Sequence, residues 1–159
     1  MARLTSRIIR LGRMAETAPP APEPIEVGGS GRGSLQLRHV DAGSCNGCEV
    51  EISGCFSPVY DAERYGVRLV ASPRHADGVV VSGVVTRNMA AALLDSVEAV
   101  AEPRVVIAVG DCACTGGEFS AAYGVVGPVG SVLPVDLEVP GCPPPPSVII
   151  EGLRRVTGR

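Results

Sequence analysis

The sequence has few aromatic side chains and no long hydrophobic run. Only 3% of its 159 residues are Phe, Trp or Tyr, and Trp is absent. No segment approaches the roughly 18–20 consecutive apolar residues that a membrane-spanning helix requires, so no such helix is predicted. The formal net charge is −3, which gives no electrostatic reason to expect nucleic acid as a partner.

Motifs for several common kinds of catalysis are also missing. The sequence contains no Walker loop, no Gly-x-Gly-x-x-Gly fingerprint after a first strand and no nucleophile–base pair. We therefore expect the substrate chemistry to take place on another protein. No secretory signal is evident, so the six cysteines are interpreted as a reduced, intracellular set rather than as a disulfide framework.

Three segments of the chain differ in composition. Residues 1–16 combine arginines with apolar residues, and they are interpreted either as a basic amphipathic helix on a membrane or partner, or as a frayed tail. Residues 17–33 are rich in Ala, Pro and Gly and are predicted to be a linker. Residues 34–159 are predicted to form a single domain, because the apolar content of 45% suffices for one core.

Short apolar runs alternate with helical patterns along this domain. Strands are predicted at 35–40, 67–70, 78–81 and 104–109, with one or two more at 131–139 that are interrupted at Pro134. Helices are predicted at 49–56, at 86–100 with Thr86 as its cap, and at 147–156 after Pro146. This alternation is typical of an α/β fold in which helices cover both faces of a mostly parallel sheet. Ligands of such sheets bind outside the carboxyl ends of the strands.

Four cysteines lie just after predicted strands. Cys45 and Cys48 form a Cys-x-x-Cys pair, Cys112 follows Gly110-Asp111, and Cys142 lies in a Pro-Gly-Cys-Pro-Pro segment. Glycines surround all three loops, as expected where backbone N–H groups must approach negatively charged sulfur. Four thiolates are what a four-iron cluster requires, because each iron takes one outside ligand.

Spacing alone leaves two other uses of these cysteines open. A Cys-x-x-Cys pair at the start of a helix is typical of a thioredoxin-like dithiol, but that interpretation leaves Cys112 and Cys142 unexplained. A structural zinc site also takes four thiolates, although usually as two close pairs, whereas Cys112 and Cys142 are thirty positions apart. A four-iron cluster accounts for one pair and two single cysteines.

Longer blocks around the cysteines resemble the small, cluster-bearing subunit of membrane-bound [NiFe] hydrogenases, of which formate hydrogenlyase is the best-known complex. This family is homologous to the 20 kDa subunit of NADH–quinone oxidoreductase, complex I. The match covers about residues 35–156 in order. Its blocks are Cys45-Asn46-Gly47-Cys48-Glu49, the segment 57–66 (SPVYDAERYG), the segment 72–77 (SPRHAD), the segment 84–89 (VVTRNM) and Val139-Pro140-Gly141-Cys142-Pro143-Pro144.

The resemblance implies a flavodoxin-like fold that holds one [4Fe-4S] cluster on Cys45, Cys48, Cys112 and Cys142. In the hydrogenases this cluster is proximal to the nickel–iron centre of a separate large subunit, and in complex I its counterpart reduces quinone. Complex I-type proteins of this family use adjacent cysteines, so the spaced pair favours the hydrogenase branch.

The resemblance also implies partners and a location. The expected partners are a large [NiFe]-hydrogenase-like or complex I 49 kDa-like subunit, a ferredoxin-like iron–sulfur subunit and membrane subunits. The chain is then a non-catalytic electron-transfer subunit of an oxidoreductase, in the cytoplasm and peripheral on the inner face of the cell membrane through its complex. The alternatives are a protein like the complex I 20 kDa subunit, which passes electrons to quinone, and a structural zinc protein.

Several residues near these blocks have open roles. Cys55 and Cys114 are interpreted as buried small hydrophobes rather than ligands. Arg74 and His75 are interpreted either as a cation near the cluster or the partner interface, or as a salt-bridged loop anchor. Two carboxylates beside the first ligands are interpreted either as proton relays or as solvated helix residues: Glu49 and Glu51.

Overall fold

The computed structural model describes residues 5, 6, 9, 10, 12, 19–25 and 33–159. The interpretation of residues 1–16 as a basic amphipathic segment falls mostly outside the described residues, as does part of the predicted linker 17–33. Within the described ranges, no helix combines the length and the apolar character needed to span a bilayer.

Five strands of the domain form one parallel sheet. Two short strands pair with each other in an antiparallel ribbon beside it. The strands are β1 (Leu35–Asp41), β2 (Val67–Leu69), β3 (Gly78–Ser82), β4 (Val85–Thr86), β5 (Val105–Val109), β6 (Val125–Gly127) and β7 (Leu137–Val139). The sheet order is β2-β1-β3-β5-β7, which is the flavodoxin-like order when only the sheet strands are counted.

Helices cover both faces of this sheet, as the alternating pattern predicts. They are α1 (Gly47–Cys55), α2 (Arg87–Glu98), α3 (Asp111–Thr115) and α4 (Pro146–Thr157). α1 and α4 pack over one face, in a core that includes Leu37, Ile107 and Ile149. α2 and α3 pack over the other face, in a core that includes Val81 and Leu93. The α/β fold class is therefore confirmed.

The central strands explain why this sheet is so clear in the sequence. β3 and β5 are buried along their whole length, because helices exclude water from both of their faces. A strand in that position needs an unbroken apolar run rather than alternating polar residues, and both runs consist mainly of valine. The predicted bounds of these strands agree with the structure to within one residue.

One strand, β7, forms in the segment 131–139, where one or two were expected; it begins after Pro134, and a short 3₁₀ segment at Val129–Ser131 precedes it. Two details differ from the sequence predictions. Thr86 precedes α2, but its side chain does not cap the helix; its Oγ1 donates to the carbonyl of Ala42 at 3.0 Å. The β4–β6 pair was not predicted, because two- and three-residue strands leave no periodic pattern.

Part of the predicted linker lies along α4. The N–H of Ile25 donates to the carbonyl of Arg155 at 2.9 Å, and the Ile25 side chain packs against the core. The guanidinium of Arg154 donates to the carbonyls of Pro19 and Pro20, at 3.3 and 2.6 Å. Composition gives no sign of these contacts, because backbone carbonyls make most of them.

Candidate metal centre

The four cysteines singled out from the sequence line one pocket. It lies just beyond the carboxyl ends of three strands. Cys45 and Cys48 follow β1, Cys112 follows β5, and Cys142 follows β7. Asp111 lies in the same lining. Residues almost a hundred positions apart therefore meet at one edge of the sheet, as the parallel topology predicts.

The pocket occupies the point of the sheet where the chain changes direction. From β1 the chain continues to β2 on one side, whereas from β3 it continues to β5 on the other side. The two connections diverge and leave a crevice between them, which is where open α/β sheets bind ligands. Gly83, the residue after β3, lines the pocket together with the loop that follows β1.

A short network of side-chain hydrogen bonds shapes the first cysteine loop. The carboxylate of Asp41 accepts the N–H groups of Gly43 and Ser44, both at 2.8 Å, in the manner of an Asx turn. The Ser44 hydroxyl accepts the N–H of Asn46 at 3.1 Å. Asn46 then takes a left-handed conformation, with φ 72°, directly before α1 begins. This turn directs Cys45 and the first residues of α1 into the pocket.

Asp111 joins the other two cysteine loops. Its carboxylate accepts the N–H of Gly141 at 2.7 Å, and its own N–H donates to the Gly141 carbonyl at 2.8 Å. The N–H of the neighbouring Gly110 donates to the carbonyl of Val139 at 2.8 Å. These bonds fix the loop of Cys112 against the loop of Cys142. We did not predict this role from the sequence, where the only signal is a carboxylate immediately before a cysteine.

Two glycines leave room for the sulfur atoms. Gly110 has a φ of +94°, and a Cβ there would lie 2.4 Å from Cys48 Sγ. Gly117 has a φ of +48°, and a Cβ there would lie 3.0 Å from Cys112 Sγ. A side chain at either position would therefore be strained and would displace a pocket thiol. Glycine is needed at both positions to keep the thiols in place.

The pocket thiols influence one another electrostatically. Burial is the main cause that raises the pKa of Cys48 to about 12. The negative charge of Glu49 is the next cause, and smaller contributions come from the other three thiols, those of Cys45, Cys112 and Cys142. Burial likewise raises the pKa of Cys112, with Cys142 and Cys45 as the next causes. Four thiolates are therefore unfavourable here without a cationic group to balance them, and metal ions provide that charge.

The donor set and its surroundings fit an iron–sulfur group. All four donors are soft thiols from three loops, two of which are joined by hydrogen bonds, and glycine occupies the positions where a Cβ would meet sulfur. Cys45 and Cys142 are exposed, so the pocket opens at the protein surface. As the side chains stand, no three or more His, Cys, Asp or Glu residues in the described ranges are grouped to hold a single metal ion.

The two remaining cysteines lie outside the pocket lining. Cys55 is buried at the end of α1, and its thiol donates to the carbonyls of Glu51 and Pro146, at 3.3 and 3.6 Å. The Cys114 thiol donates to the carbonyl of Ala108 at 3.7 Å and packs against the core beneath α2 and α3. Burial raises the pKa of both thiols, to about 12 and about 11 respectively.

Arg74 and His75 lie far from the cysteines. They form a 3₁₀ turn just before β3, at the opposite edge of the sheet, and neither is buried. The five residues of β3 alone span about 16 Å at roughly 3.3 Å per residue. The interpretation of these two residues as a cation beside the cluster is therefore wrong. A role at a partner interface stays a prediction.

Glu49 and Glu51, which are neighbours in sequence, differ in environment. Glu51 lies on α1, where its backbone carbonyl accepts a hydrogen bond from the Cys55 thiol. The side chain of Glu49, by contrast, is only 16% exposed. The Ser82 hydroxyl, at the end of β3, donates to Glu49 Oε1, and His39 Nε2 lies 2.8 Å from the same hydroxyl. Sequence reasoning missed His39 and Ser82, because each lies within a strand and far from any cysteine motif.

The comparisons with known proteins agree with this architecture. The family model described as NADH ubiquinone oxidoreductase, 20 Kd subunit, matches residues 45–156. Formate hydrogenlyase subunit 7 of Escherichia coli K12 is 42% identical over 125 residues, which are 79% of this chain and 49% of that protein. The probable membrane-bound hydrogenase subunit mbhJ of Pyrococcus furiosus is 45% identical over 115 residues, 72% of this chain and 69% of that protein.

A solved structure is similar as well. It is a chain of the membrane-bound sulfane sulfur reductase, an archaeal respiratory membrane complex, with a TM-score of 0.68 and 29% identity over 78% of this chain and 68% of that chain. The protein described here spans about half the length of the Escherichia coli relative. From the extent of the family match and the identity to these relatives, the chain belongs to the family of the NADH ubiquinone oxidoreductase 20 Kd subunit.

Proposed function

We propose that this protein is an electron-transfer subunit that holds one [4Fe-4S] cluster on Cys45, Cys48, Cys112 and Cys142. In this proposal it docks against the catalytic large subunit of a hydrogenase-type oxidoreductase complex. When bound, the cluster stores and passes on one electron at a time. The observation that supports the proposal best is that thiols from three distant loops line a single pocket.

The contributions of the protein itself are placement, charge and shielding. The Asp41 turn and the Asp111–Gly141 bonds hold the three loops in position. Nearby glycines let backbone approach the sulfur atoms, where N–H groups stabilise negative charge. Pro143 lines the pocket beside Cys142 and contributes an apolar ring to its wall. Burial, hydrogen bonding and net charge of this kind are what set the potential of a protein-bound cluster.

The exposed side of the site suits a protein partner. Cys45 and Cys142 are exposed, so a partner that covers the pocket would bring its own redox centre close to the ligands. Apolar side chains near the ligands in sequence are also exposed, with Val50 at 60%, Phe119 at 47% and Tyr123 at 93%. Exposed apolar side chains are a common feature of surfaces that another protein covers.

The relatives differ in the reaction that their complexes carry out. Two are named as hydrogenase or formate hydrogenlyase subunits, and the similar structure belongs to a sulfane sulfur reductase. The spaced pair Cys45–Cys48 supports the hydrogenase type for this chain. The alternative is a protein of complex I type that passes electrons to quinone, which the family description supports. Two Cys-x-x-Cys pairs in the large subunit of the complex would establish the hydrogenase type, and their absence would favour the alternative.

The matched pair Cys112→Ala and Cys114→Ala tests the proposal. Each protein is purified without oxygen, reconstituted with iron and sulfide, and examined by visible absorbance and by electron paramagnetic resonance after reduction. Cys112→Ala removes a pocket thiol, so we expect the four-iron signal to be lost. Cys114→Ala removes a thiol two residues away that lies outside the pocket lining, so we expect the signal to be retained. A full four-iron signal in Cys112→Ala would refute the ligand assignment.

Structural zinc is the remaining alternative for the four thiols. Metal analysis of the protein purified without oxygen separates the two. Iron with labile sulfide supports the proposed electron-transfer role, whereas zinc without iron or sulfide supports a structural role.

A further inference from the structure

Asp111 differs from the other residues of the cysteine pocket. Apart from the cysteines, it is the only ionisable side chain in the lining that the described residues form. Its Oδ1 accepts the N–H of Gly141 at 2.7 Å, and its own N–H donates to the Gly141 carbonyl at 2.8 Å. Asp111 directly precedes Cys112, and Gly141 directly precedes Cys142. This pair of bonds therefore joins the backbone at two of the four proposed ligands.

The negative charge of this carboxylate is not balanced by a cation. None of the salt bridges between described residues includes Asp111. The residue is only partly exposed, and the Gly141 N–H that its carboxylate accepts carries no net charge. After burial and the thiols of Cys142 and Cys45, the Asp111 charge is the next cause that raises the pKa of Cys112. The carboxylate therefore adds to the negative potential at the pocket sulfur atoms.

We propose that Asp111 has two separable roles toward the group on the four cysteines. As a hydrogen-bond acceptor it positions the Cys142 loop against the Cys112 loop, and as a fixed negative charge it lowers the midpoint potential of the bound group. The electron comes from another iron–sulfur protein of the complex, and Asp111 neither gains nor loses a proton when it arrives. This inference rests on the proposed function, because it requires a redox group at this site.

The direction of the second role follows from the sign of the charge. An added electron makes the site more negative, so a nearby carboxylate disfavours the reduced form, and a neutral group in its place favours it. At an effective dielectric constant of about 20, a unit charge about 10 Å away changes a one-electron equilibrium on the order of tenfold. A tenfold change corresponds to about 59 mV for a one-electron couple. The lower potential makes the reduced protein a stronger electron donor to its partner.

Two substitutions, Asp111→Asn and Asp111→Ala, separate these roles. Asparagine keeps a carbonyl oxygen that can accept the Gly141 N–H but removes the charge. Alanine removes both, so it leaves the Gly141 N–H without this acceptor. Each protein is purified without oxygen and reconstituted with iron and sulfide. Iron and sulfide content per chain measures the positioning role, and electrochemical titration followed by electron paramagnetic resonance measures the potential.

The matched control is Asp136→Asn, because Asp136 makes the same kind of bond at the opposite edge of the sheet. Its Oδ2 accepts the N–H of Val106 at 2.7 Å, across 30 positions of the chain, as Asp111 accepts that of Gly141. The substitution changes the net charge by the same amount. Asp136 does not line the cysteine pocket, so a shift common to both variants would reflect net charge rather than the position of Asp111.

We expect Asp111→Asn to bind as much iron and sulfide as the wild type. At a fixed applied potential, its ratio of reduced to oxidised protein should be about tenfold higher, because the opposing charge is gone. Asp136→Asn should match the wild type in both respects. Asp111→Ala should lose part of its iron and sulfide, because the Cys142 loop is then no longer held by this bond.

Three results would count against the inference. An unchanged potential in Asp111→Asn, or an equal shift in Asp136→Asn, would overturn the charge role while the proposed function stands. Loss of the cluster in Asp111→Asn would overturn the division into two roles, because an acceptor alone would then not suffice. A wild-type protein that binds no cluster would overturn both the inference and the proposed function.

A second measurement needs no substitution at position 111. Infrared difference spectra between the oxidised and reduced protein are recorded with aspartate labelled by ¹³C at its carboxyl group, in the wild type and in Asp136→Asn. A carboxylate band that shifts on reduction in both proteins would support the inference, because a fixed charge nearby responds to the added electron. The appearance of a protonated carboxyl band on reduction, or no change in the aspartate bands, would contradict it.

Discussion

The two edges of the parallel sheet differ in the use they make of polar groups. At the edge where the strands begin, carboxylates accept hydrogen bonds from backbone donors: Asp77 accepts the N–H of Gln36 at 2.8 Å, and Asp136 accepts the N–H of Val106 at 2.7 Å. At the edge where the strands end, four thiols face one pocket and repel one another as thiolates. The carboxylates of the first edge are paired with donors of the protein itself, whereas the thiolates of the second edge need a cationic group to balance their charge.

This contrast separates stability from function within a single sheet. Carboxylates at the starting edge fix the entry of two strands by bonding to their backbone N–H groups. At the ending edge, the carboxylates of Asp41 and Asp111 also accept backbone N–H groups, but there they hold the loops that present thiols. Glycines with left-handed backbone angles accommodate the sulfur atoms. Substitutions at the ending edge should therefore affect cluster binding first, and substitutions at the starting edge should affect folding first.

The largest expected effect is that of Gly110→Ala at the ending edge. A Cβ would lie 2.4 Å from Cys48 Sγ at a φ of +94°, so we expect cluster uptake to be abolished and the free energy of unfolding to fall by about 1–3 kcal/mol. Gly130→Ala is the control, because no atom lies within 4 Å of a Cβ there. Reconstitution and chemical denaturation measure the two effects. Normal cluster content in Gly110→Ala would show that the pocket is wider than described.

The second effect is that of Arg154→Met, away from the cysteines, and it concerns stability without loss of the cluster. Arg154 is 5% exposed, and it donates to Glu151 and to the carbonyls of Arg159, Pro19 and Pro20 while it lies over the Tyr65 ring. Removal of these bonds should lower the free energy of unfolding by about 2–4 kcal/mol. Cluster content per folded chain should not change. The exposed Arg155→Met is the control, and an equal loss in both variants would contradict the role of the buried guanidinium.

A smaller effect is expected for Asp77→Ala at the starting edge. The substitution leaves the Gln36 N–H without its carboxylate acceptor, so we expect a loss of about 1–2 kcal/mol in the free energy of unfolding. Asp95→Ala, on the exposed side of α2, is the control and should change the free energy of unfolding little. The spectrum of the bound cluster should be the same in both. An altered spectrum in Asp77→Ala would contradict the proposal that the starting edge serves folding and the ending edge serves cluster binding.

The smallest effect concerns the pH dependence of stability. Because burial lowers the pKa of His39 in the folded protein, the unfolded chain binds a proton at this position at higher pH than the folded chain. The contribution of His39 to stability is therefore present above about pH 6.5 and is lost as the pH falls below it. As the pH falls through this range, the free energy of unfolding should decrease less in His39→Gln than in His75→Gln, as measured by chemical denaturation. Parallel profiles would show that His39 is not buried as described.

The sequence predicts the covered strands and the meeting of the cysteine loops well, for physical reasons. Strands with helices on both faces need continuous apolar runs, and those of β3 and β5 are unmistakable. Because parallel strands end at a common edge, residues that follow several strands must meet, which brings Cys45, Cys112 and Cys142 together. The fold class is confirmed by the structure, whereas the identity of the bound group stays a proposal.

Other features could not be predicted, because they depend on contacts between distant segments. The Asp111–Gly141 bonds and the chain His39–Ser82–Glu49 join residues that share no periodicity or motif. Thr86 has a residue type that caps helices, but a carbonyl 44 positions earlier, that of Ala42, accepts its hydroxyl proton instead. Arg74 and His75 look basic and functional in sequence, but only the topology shows that they lie at the edge opposite to the cysteines.

The most direct test of the central claim is the metal and sulfide content of the wild-type protein purified without oxygen, together with its Mössbauer spectrum. We predict about four iron and about four sulfide per chain, as one cluster ligated by thiolates from three loops. A single zinc ion per chain, with neither iron nor sulfide, would contradict the account.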